Sequence, residues 1–383
     1  MAKNTKPHKS KIHNISEGMK TRPMDYTFLT ILIVIVCAGL IMLLSSSAPA
    51  ANKKFGNSYH FFIRQLIFTA AGFVGMILAA RIDYHVWKKH VGKIMLFCTV
   101  LLGLVFVPKI GVEHNGSHRW INLIVFELQP SELMKLAIAM FFAAHIEAGK
   151  KDLTKWKGLK FFFGWMVVVA GLMLAETHLS GTIVLMGIAA VVLLVGGMSW
   201  KFLGIGALGG AAGVGLLLLI SPERMARFMS FLNPFADVKG EGWQVVQGLY
   251  AIGSGGLFGM GLGQSVQKYS YIPEPYNDFI FAIICEELGF FGAMLVMVLF
   301  AALILRGIKI ALNAPDTFGM LTAIGITAQI GIQAILNIAV VTSTVPNTGV
   351  TLPFFSYGGT AMLVLLAEMG IMLSISRYSR NDL

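Results

Sequence analysis

Charge is what this sequence has least of. Only 13% of its 383 residues are Asp, Glu, Lys or Arg, against about 25% in an ordinary soluble domain. Acidic residues are the scarcer sign, 19 against 30 Lys and Arg, which leaves a net charge of +11. Cysteine is nearly absent. Cys37, Cys98 and Cys285 each sit inside an apolar run, so they form neither a disulfide framework nor a metal-ligand cluster and read as small buried hydrophobes. Familiar catalytic spacings are missing too. There is no HExxH and no Cys/His cluster, so the lone His178 reads as a polar interfacial residue rather than a ligand. The six glycines from Gly253 to Gly263 are not GxGxxG, because Phe258, Gln264 and Val266 occupy the third-glycine positions of its GxG registers. Nor are they a P-loop, which needs GK[ST]. They read as a flexible or re-entrant segment. No internal repeat is evident, so the inverted halves of many transporters are not indicated.

What is abundant is apolar sequence, 56% of the chain. A helix needs about 20 mostly apolar residues to cross the hydrocarbon core. Ten segments approach that length, at about 27–48, 61–80, 91–108, 132–146, 160–176, 181–198, 201–220, 278–305, 317–342 and 352–376. The expected fold is therefore all-α, a polytopic transmembrane helical bundle of about ten spans. The first run, Thr27 to Leu44, is too long for a signal-peptide core and reads as a retained span. Residues 1–26 before it form a basic tail, expected to be disordered. The seventh segment, with Gly204, Gly206, Gly209, Gly210, Gly213 and Gly215, suits close helix packing in lipid.

The positive charge orients the bundle. With the N-terminus cytoplasmic, 20 Lys and Arg fall on inside segments and eight on outside ones. That bias puts both termini in the cytoplasm. It also explains the basic composition without nucleic acid as a partner. One connection is then conspicuous: about 221–277, a large extracytoplasmic loop between the seventh and eighth spans, followed in length by 109–131. Long loops on a rigid scaffold tend to carry function.

Charges in or beside spans are costly and are candidates for function. Asp278 opens the eighth span directly after the large loop. A partly desolvated carboxylate there gains proton affinity and becomes a better base. The plainer alternative is an N-terminal helix cap. Glu286 and Glu287 lie deeper, about 80° and about 180° around the helix from Asp278, with Glu286 about 12 Å along the axis. They are not an acid/base pair with it and read as structural polar contacts. Arg119 and Trp120 occupy the second outer loop. In Gln129-Pro-Ser-Glu-Leu-Met-Lys135, Pro130 and Ser131 mark a helix start. Glu132 and Lys135, three apart, share a face, either as a structural pair or as a cationic site for phosphate. Arg224 and Arg227 are also three apart at the start of the large loop, suited to pyrophosphate, to a lipid headgroup or to interfacial anchoring.

Four stretches carry a resemblance: His118-Arg-Trp-Ile-Asn122, Gln129-Pro-Ser-Glu-Leu-Met-Lys135, Ile272-Pro-Glu-Pro-Tyr-Asn-Asp-Phe-Ile-Phe-Ala282 with Glu286-Glu-Leu-Gly289, and Gly349-Val-Thr-Leu-Pro-Phe-Phe-Ser-Tyr-Gly-Gly359. With the ten spans and the large loop, residues 27–383 resemble the SEDS family, that of FtsW, RodA and the sporulation protein SpoVE. The resemblance implies a peptidoglycan glycosyltransferase in the bacterial cytoplasmic membrane, polymerising lipid II into glycan strands at the outer face. It places the family's catalytic aspartate on Asp278, a general base toward the 4-hydroxyl of the acceptor GlcNAc in an inverting transfer. Arg119, Trp120, Glu132, Lys135, Arg224 and Glu274 are the expected substrate-binding residues. Arg119, Lys135, Arg224 or a divalent cation (Mg or Mn) would stabilise the departing pyrophosphate, with no protein metal site assigned. One motif departs. The family's Gln-Pro-Asp-Leu/Phe-Gly-Thr is here Glu176-Thr-His-Leu-Ser-Gly-Thr182, so that aspartate's role is not carried over and His178 is not assigned in its place. Leu43-Leu-Ser-Ser-Ser47 and Thr351–Gly359 look more like FtsW and SpoVE than RodA, implying septal or spore wall synthesis. The implied partners are lipid II, the lipid-linked strand, a class B penicillin-binding protein beside the eighth and ninth spans, and other divisome membrane proteins. The alternatives are a lipid II flippase or transporter, an elongation polymerase of the RodA type, and a scaffold without chemistry.

Overall fold

The computed structural model describes residues 22–380 apart from 115, 116, 124, 125, 150, 151, 239 and 241. The disorder expected of the tail falls mostly on residues outside those described. Among the described residues twelve α-helices run in chain order: α1 (Tyr26–Phe55), α2 (His60–Arg81), α3 (Tyr84–Leu104), α4 (Pro130–Glu147), α5 (Trp156–Ala175), α6 (Leu179–Val195), α7 (Trp200–Ile220), α8 (Pro222–Leu232), α9 (Trp243–Gly255), α10 (Ile280–Leu312), α11 (Thr317–Val341) and α12 (Gly359–Ser376). Seven of them, α1, α2, α5, α7, α10, α11 and α12, are long and apolar enough to cross a membrane, and α6 is a shorter apolar helix. The chain is a multi-pass, helical membrane protein. All ten expected segments fall on helices, α8 and α9 being additional. Starts moved where caps decide them. Asp83 accepts from His85 N at 2.9 Å and begins α3 earlier than expected. Residues 352–358 form a loop, so α12 begins only at Gly359.

The all-α expectation needs one addition. The second connection folds into an antiparallel sheet of β1 (Gly111–His114), β2 (Ser117–Asn122) and β3 (Glu127–Leu128), in the order β1-β2-β3. Val112 pairs with Trp120 and Ile121 with Leu128.

Helix α4 is the axis of the bundle. Twelve of its 18 residues are buried, and it packs among α3, α6 and α11. Helix α12 lies along α2. Near the site, α1 meets the 352–358 loop at Gly39, where a Cβ would lie 2.2 Å from the Phe354 carbonyl oxygen. The seventh segment corrects an expectation. No residue of α7 is buried, and at Gly204, Gly209, Gly210, Gly213 and Gly215 a Cβ would meet nothing within 4 Å. Its glycines do not mediate packing within this chain.

Helix α10 is broken. Gly289 has φ 66° and ψ −166°, a conformation open to glycine. The polar backbone groups around the break are met by residues 256–261, just past α9. Met260 N donates to Glu286 O (2.9 Å), Gly261 N to Glu287 O (3.0 Å), Phe290 N to Gly256 O (2.9 Å) and Phe291 N to Leu257 O (3.2 Å). The glycine segment is therefore pinned to α10 by its backbone. The side chains of Glu286 and Glu287 extend the clamp. Glu286 accepts from Val266 N and Gln267 N, and Glu287 from Gly263 N, Ser265 N and Ser45 Oγ. Lys268 Nζ, also buried, bonds Glu287 at 2.7 Å. The structural reading of this carboxylate pair is what the geometry supports.

At one pole the first and last described segments meet. Arg306 Nε bonds both Asp25 oxygens (3.0 and 2.8 Å), Asp25 N donates to Ser376 Oγ (3.1 Å), and Arg22 N donates to Arg377 O (2.8 Å). The sheet, the α9–α10 connection and the 345–358 loop gather at the other pole.

Candidate functional site

That second pole holds a cavity of about 1060 Å³. Asp278 lies on its wall, on the turn leading into α10. The turn is fixed by its backbone. Tyr357 N donates to Tyr276 O at 2.9 Å, Ser356 Oγ to Asn277 O, and Asn337 Nδ2 to both Asp278 O and Val350 O at 2.7 Å. Asn337 thus joins α11 to the two loops that form the wall. The cap alternative is not realised, because Phe279 holds the cap position of α10 and no side chain caps it. Among the described residues, only its own backbone amide is found as a donor to the Asp278 carboxylate. Burial, reinforced by Glu274, raises its pKa to about 6 against that opposing hydrogen bond. Phe61, Tyr276 and Tyr357 form an aromatic wall beside it, with ring centroids 4.6 Å (Phe61–Tyr276) and 5.0 Å (Phe61–Tyr357) apart.

Most of the expected substrate-binding residues converge here. Arg119, Trp120, Glu132 and Glu274 all line the cavity. Arg119 Nη2 donates to Thr177 O at 2.7 Å, and Ser117 and Thr177 share a hydroxyl contact of 2.9 Å. Thr177 sits at φ 58°, strained for a β-branched residue. The β-hairpin therefore holds the turn of the departing motif. Glu274 accepts from Asn277 Nδ2 at 2.7 Å. Glu132 and Lys135 make a buried ion pair, with Nζ at 2.8 Å from both oxygens. Lys135 does not line the main cavity but a small niche adjoining it. Arg224 lies apart from the others. It is absent from the lining, and Arg227, one turn further along α8, takes the place. Lys54 and Arg64 also line the cavity, and Arg64 hydrogen-bonds the Tyr357 phenol. Neither was expected at the site, although Arg64 carries a signal that marks it, a charge inside an apolar run.

His178 lines both the cavity and the niche. Burial, then Arg119 and Lys135, lower its pKa to about 3, so its ring is neutral. No group of three or more His, Cys, Asp or Glu able to hold a metal ion occurs among the described residues. A divalent cation would have to come with an anionic substrate, and no step is routed through it. The arrangement offers one basic carboxylate facing a large, polar, cation-rimmed chamber: proton abstraction beside an anionic ligand is the chemistry it suits.

Comparisons with known proteins agree with that chemistry. The model of the cell cycle protein family of FtsW, RodA and SpoVE matches residues 25–381. Stage V sporulation protein E of Bacillus subtilis (strain 168) is 43% identical over 365 residues, 94% of this chain and 99% of that one. A probable peptidoglycan glycosyltransferase FtsW of Geobacter sp. (strain M18) is 37% identical over 361 residues, 93% and 98% of the two chains. Among solved structures, a chain of a peptidoglycan synthase complex described as coordinating polymerization and crosslinking superposes with TM-score 0.78 at 26% identity, covering 94% of this chain and 99% of that one. The rod shape determining protein RodA of Thermus thermophilus gives TM-score 0.70 at 25% identity, covering 94% and 98%.

Proposed function

This chain belongs to the FtsW/RodA/SpoVE cell cycle protein family, and on that premise we propose how its cavity works as the site of a peptidoglycan glycosyltransferase. The substrate is lipid II. Asp278 takes the proton of the 4-hydroxyl of the acceptor GlcNAc. The freed oxygen pair attacks the anomeric carbon of the lipid-linked strand and forms the new glycosidic bond with inversion. The bond from that carbon to the pyrophosphate breaks, and undecaprenyl pyrophosphate leaves with the electron pair. Arg119, Arg227, Arg64 and Lys54 surround the developing charge; Trp120, Glu132 and Glu274 complete the binding wall. The observation that carries this reading is a carboxylate left open to a cation-lined chamber, on a turn held through its backbone carbonyls by Asn337 and Ser356.

Ten spans, α1 to α7 and α10 to α12, with both termini cytoplasmic, put that chamber at the outer face, beneath the 221–277 connection. Residues 27–383 then act as one membrane domain, preceded by a cytoplasmic basic tail. The greater likeness to SpoVE and FtsW chains than to RodA supports work at the septum or the spore wall. A class B penicillin-binding protein is the partner proposed, supported by the likeness to a synthase complex; other divisome membrane proteins extend the set.

The deciding assay supplies lipid II to the purified protein with its partner and looks for glycan polymer. Asp278→Ala is expected to lose at least about a thousandfold in rate while keeping its thermal midpoint. Equal polymerisation by the folded variant would remove Asp278 as the base. Lipid II transfer across vesicles without polymer would point to a transporter.

A further inference from the structure

Beside the cavity is a niche of about 50 Å³, room for more than a single water. Its lining divides in two. Met173, Val184 and Val350 give an apolar side. Ser131, His178 and Gln333 give a polar side, each at least nine-tenths buried. Ser131 Oγ, His178 Nδ1 and Gln333 Oε1 have no hydrogen-bond partner among the described residues. Three unpaired polar atoms on one small void are costly unless a ligand meets them. The niche carries no net charge. Lys135 is neutralised by Glu132 at 2.8 Å, and the His178 ring is neutral. A phosphate would find in it only a lysine already paired with Glu132, whereas Arg119 and Arg227 line the main cavity. The niche is also close to the reacting carboxylate. Gly349 lines both spaces, and a Cβ there would lie 3.7 Å from Asp278 Oδ2.

We infer that this niche is an acetamido subsite, which takes the N-acetyl group of a hexosamine joined at Asp278, with the methyl against Met173, Val184 and Val350 and the amide against Ser131, His178 and Gln333. The inference rests on the glycosyltransferase reading above and deepens it. The group matches both halves of the lining. Its N–H donates to Gln333 Oε1, and its carbonyl accepts from the Ser131 hydroxyl or from a protonated Nδ1 of His178. The strained turn at Thr177, tied to Arg119 and Ser117 of the hairpin, is what presents His178 to the niche.

The test uses lipid II analogues in which a hydroxyl replaces the acetamido group, made separately on each of the two sugars. Binding to the full chain is measured in an Asp278→Asn background, which stops turnover, and polymerisation in the wild type. A site built to bond an amide rejects the analogue lacking it, so one of the two analogues is expected to bind at least about tenfold more weakly than lipid II. Gln333→Met and Ser131→Ala are expected to bring that ratio close to one. The ratio is internal to each variant, so loss of folded protein cannot imitate its collapse. Equal affinity for lipid II and both analogues would overturn the niche alone, as would variants that keep the full ratio. Failure to bind lipid II at all would overturn the glycosyltransferase reading and the niche with it.

Discussion

Asp278 shows how much one carboxylate depends on the backbone beneath it. With its pKa raised to about 6 by burial and by Glu274, the base is ionised above that pH and protonated below it. Activity should therefore climb as pH rises through about 6 and level off near neutrality. One unit lower it should be roughly tenfold down, since only the ionised form accepts the proton. A kcat profile of polymer formation reads this directly, and a flat profile between about pH 5 and 7 would contradict it. Asn337 is the positioning residue to test beside it. Asn337→Leu leaves the carbonyls of Asp278 and Val350 without their shared donor, at a cost of about 1–3 kcal/mol. The expected outcome is a lower kcat with KM little changed, and partial recovery in Asn337→Gln. At this scale the sequence was informative because charge is so scarce in it. Asp278, Arg119, Glu132 and Lys135 stood out against apolar surroundings. It did not separate Arg224 from Arg227, which share a helix face, and only the position of α8 relative to the chamber puts Arg227 on the lining. Asn337, a neutral amide inside a helix, offered nothing to find.

The broken helix is the element on which the wall of the chamber depends. A methyl on Gly289 would lie 2.3 Å from Gly259 N and 2.6 Å from Leu257 O, at a φ that L residues resist. Gly289→Ala is expected to destabilise by about 2–4 kcal/mol, read as a lowered thermal midpoint together with lost activity. The buried Lys268–Glu287 pair is open to a different test. Lys268→Met strands a buried charge and should cost about 3–5 kcal/mol. Combined with Glu287→Gln, which keeps an acceptor for Gly263 N and Ser265 N, the two losses should be far from additive, and strictly additive losses would contradict the assigned pairing. Neither device was legible beforehand. The apolar run from Ile280 continues unbroken through Gly289, so periodicity gives one helix. The six glycines gave flexibility or re-entry, whereas Gly261 N is committed to the Glu287 carbonyl, Gly263 N to the Glu287 carboxylate and Gly256 O to Phe290 N. The three strands escaped notice for a simpler reason: at four, six and two residues they are too short for alternation to register.

For the molecule as a whole, hydropathy was sufficient to find every long apolar helix, because no other element lets a backbone satisfy itself in lipid. The ends of those helices were less legible, being set by caps such as Asp83 and by the loop before Gly359. Orientation has its own test. A membrane-impermeant thiol reagent applied to intact cells should label a cysteine at Ser270, near the chamber, and spare one at Thr317 until the membrane is opened. The reverse pattern would invert the bundle and remove the outer-face assignment.

The latch at the opposite pole has a consequence for how the protein is made. Asp25 is among the earliest described residues to leave the ribosome, yet two of its partners, Arg306 and Ser376, lie 281 and 351 positions later. Until α10 has been made the Asp25 carboxylate lacks Arg306, and until the last helix has been synthesised and inserted the Asp25 amide lacks its acceptor on Ser376. Assembly of α1 therefore closes only when translation does. A nascent chain cut short within α12 would leave the Asp25 amide without that acceptor, so the mouth of the first helix is closed by the last residues to be made.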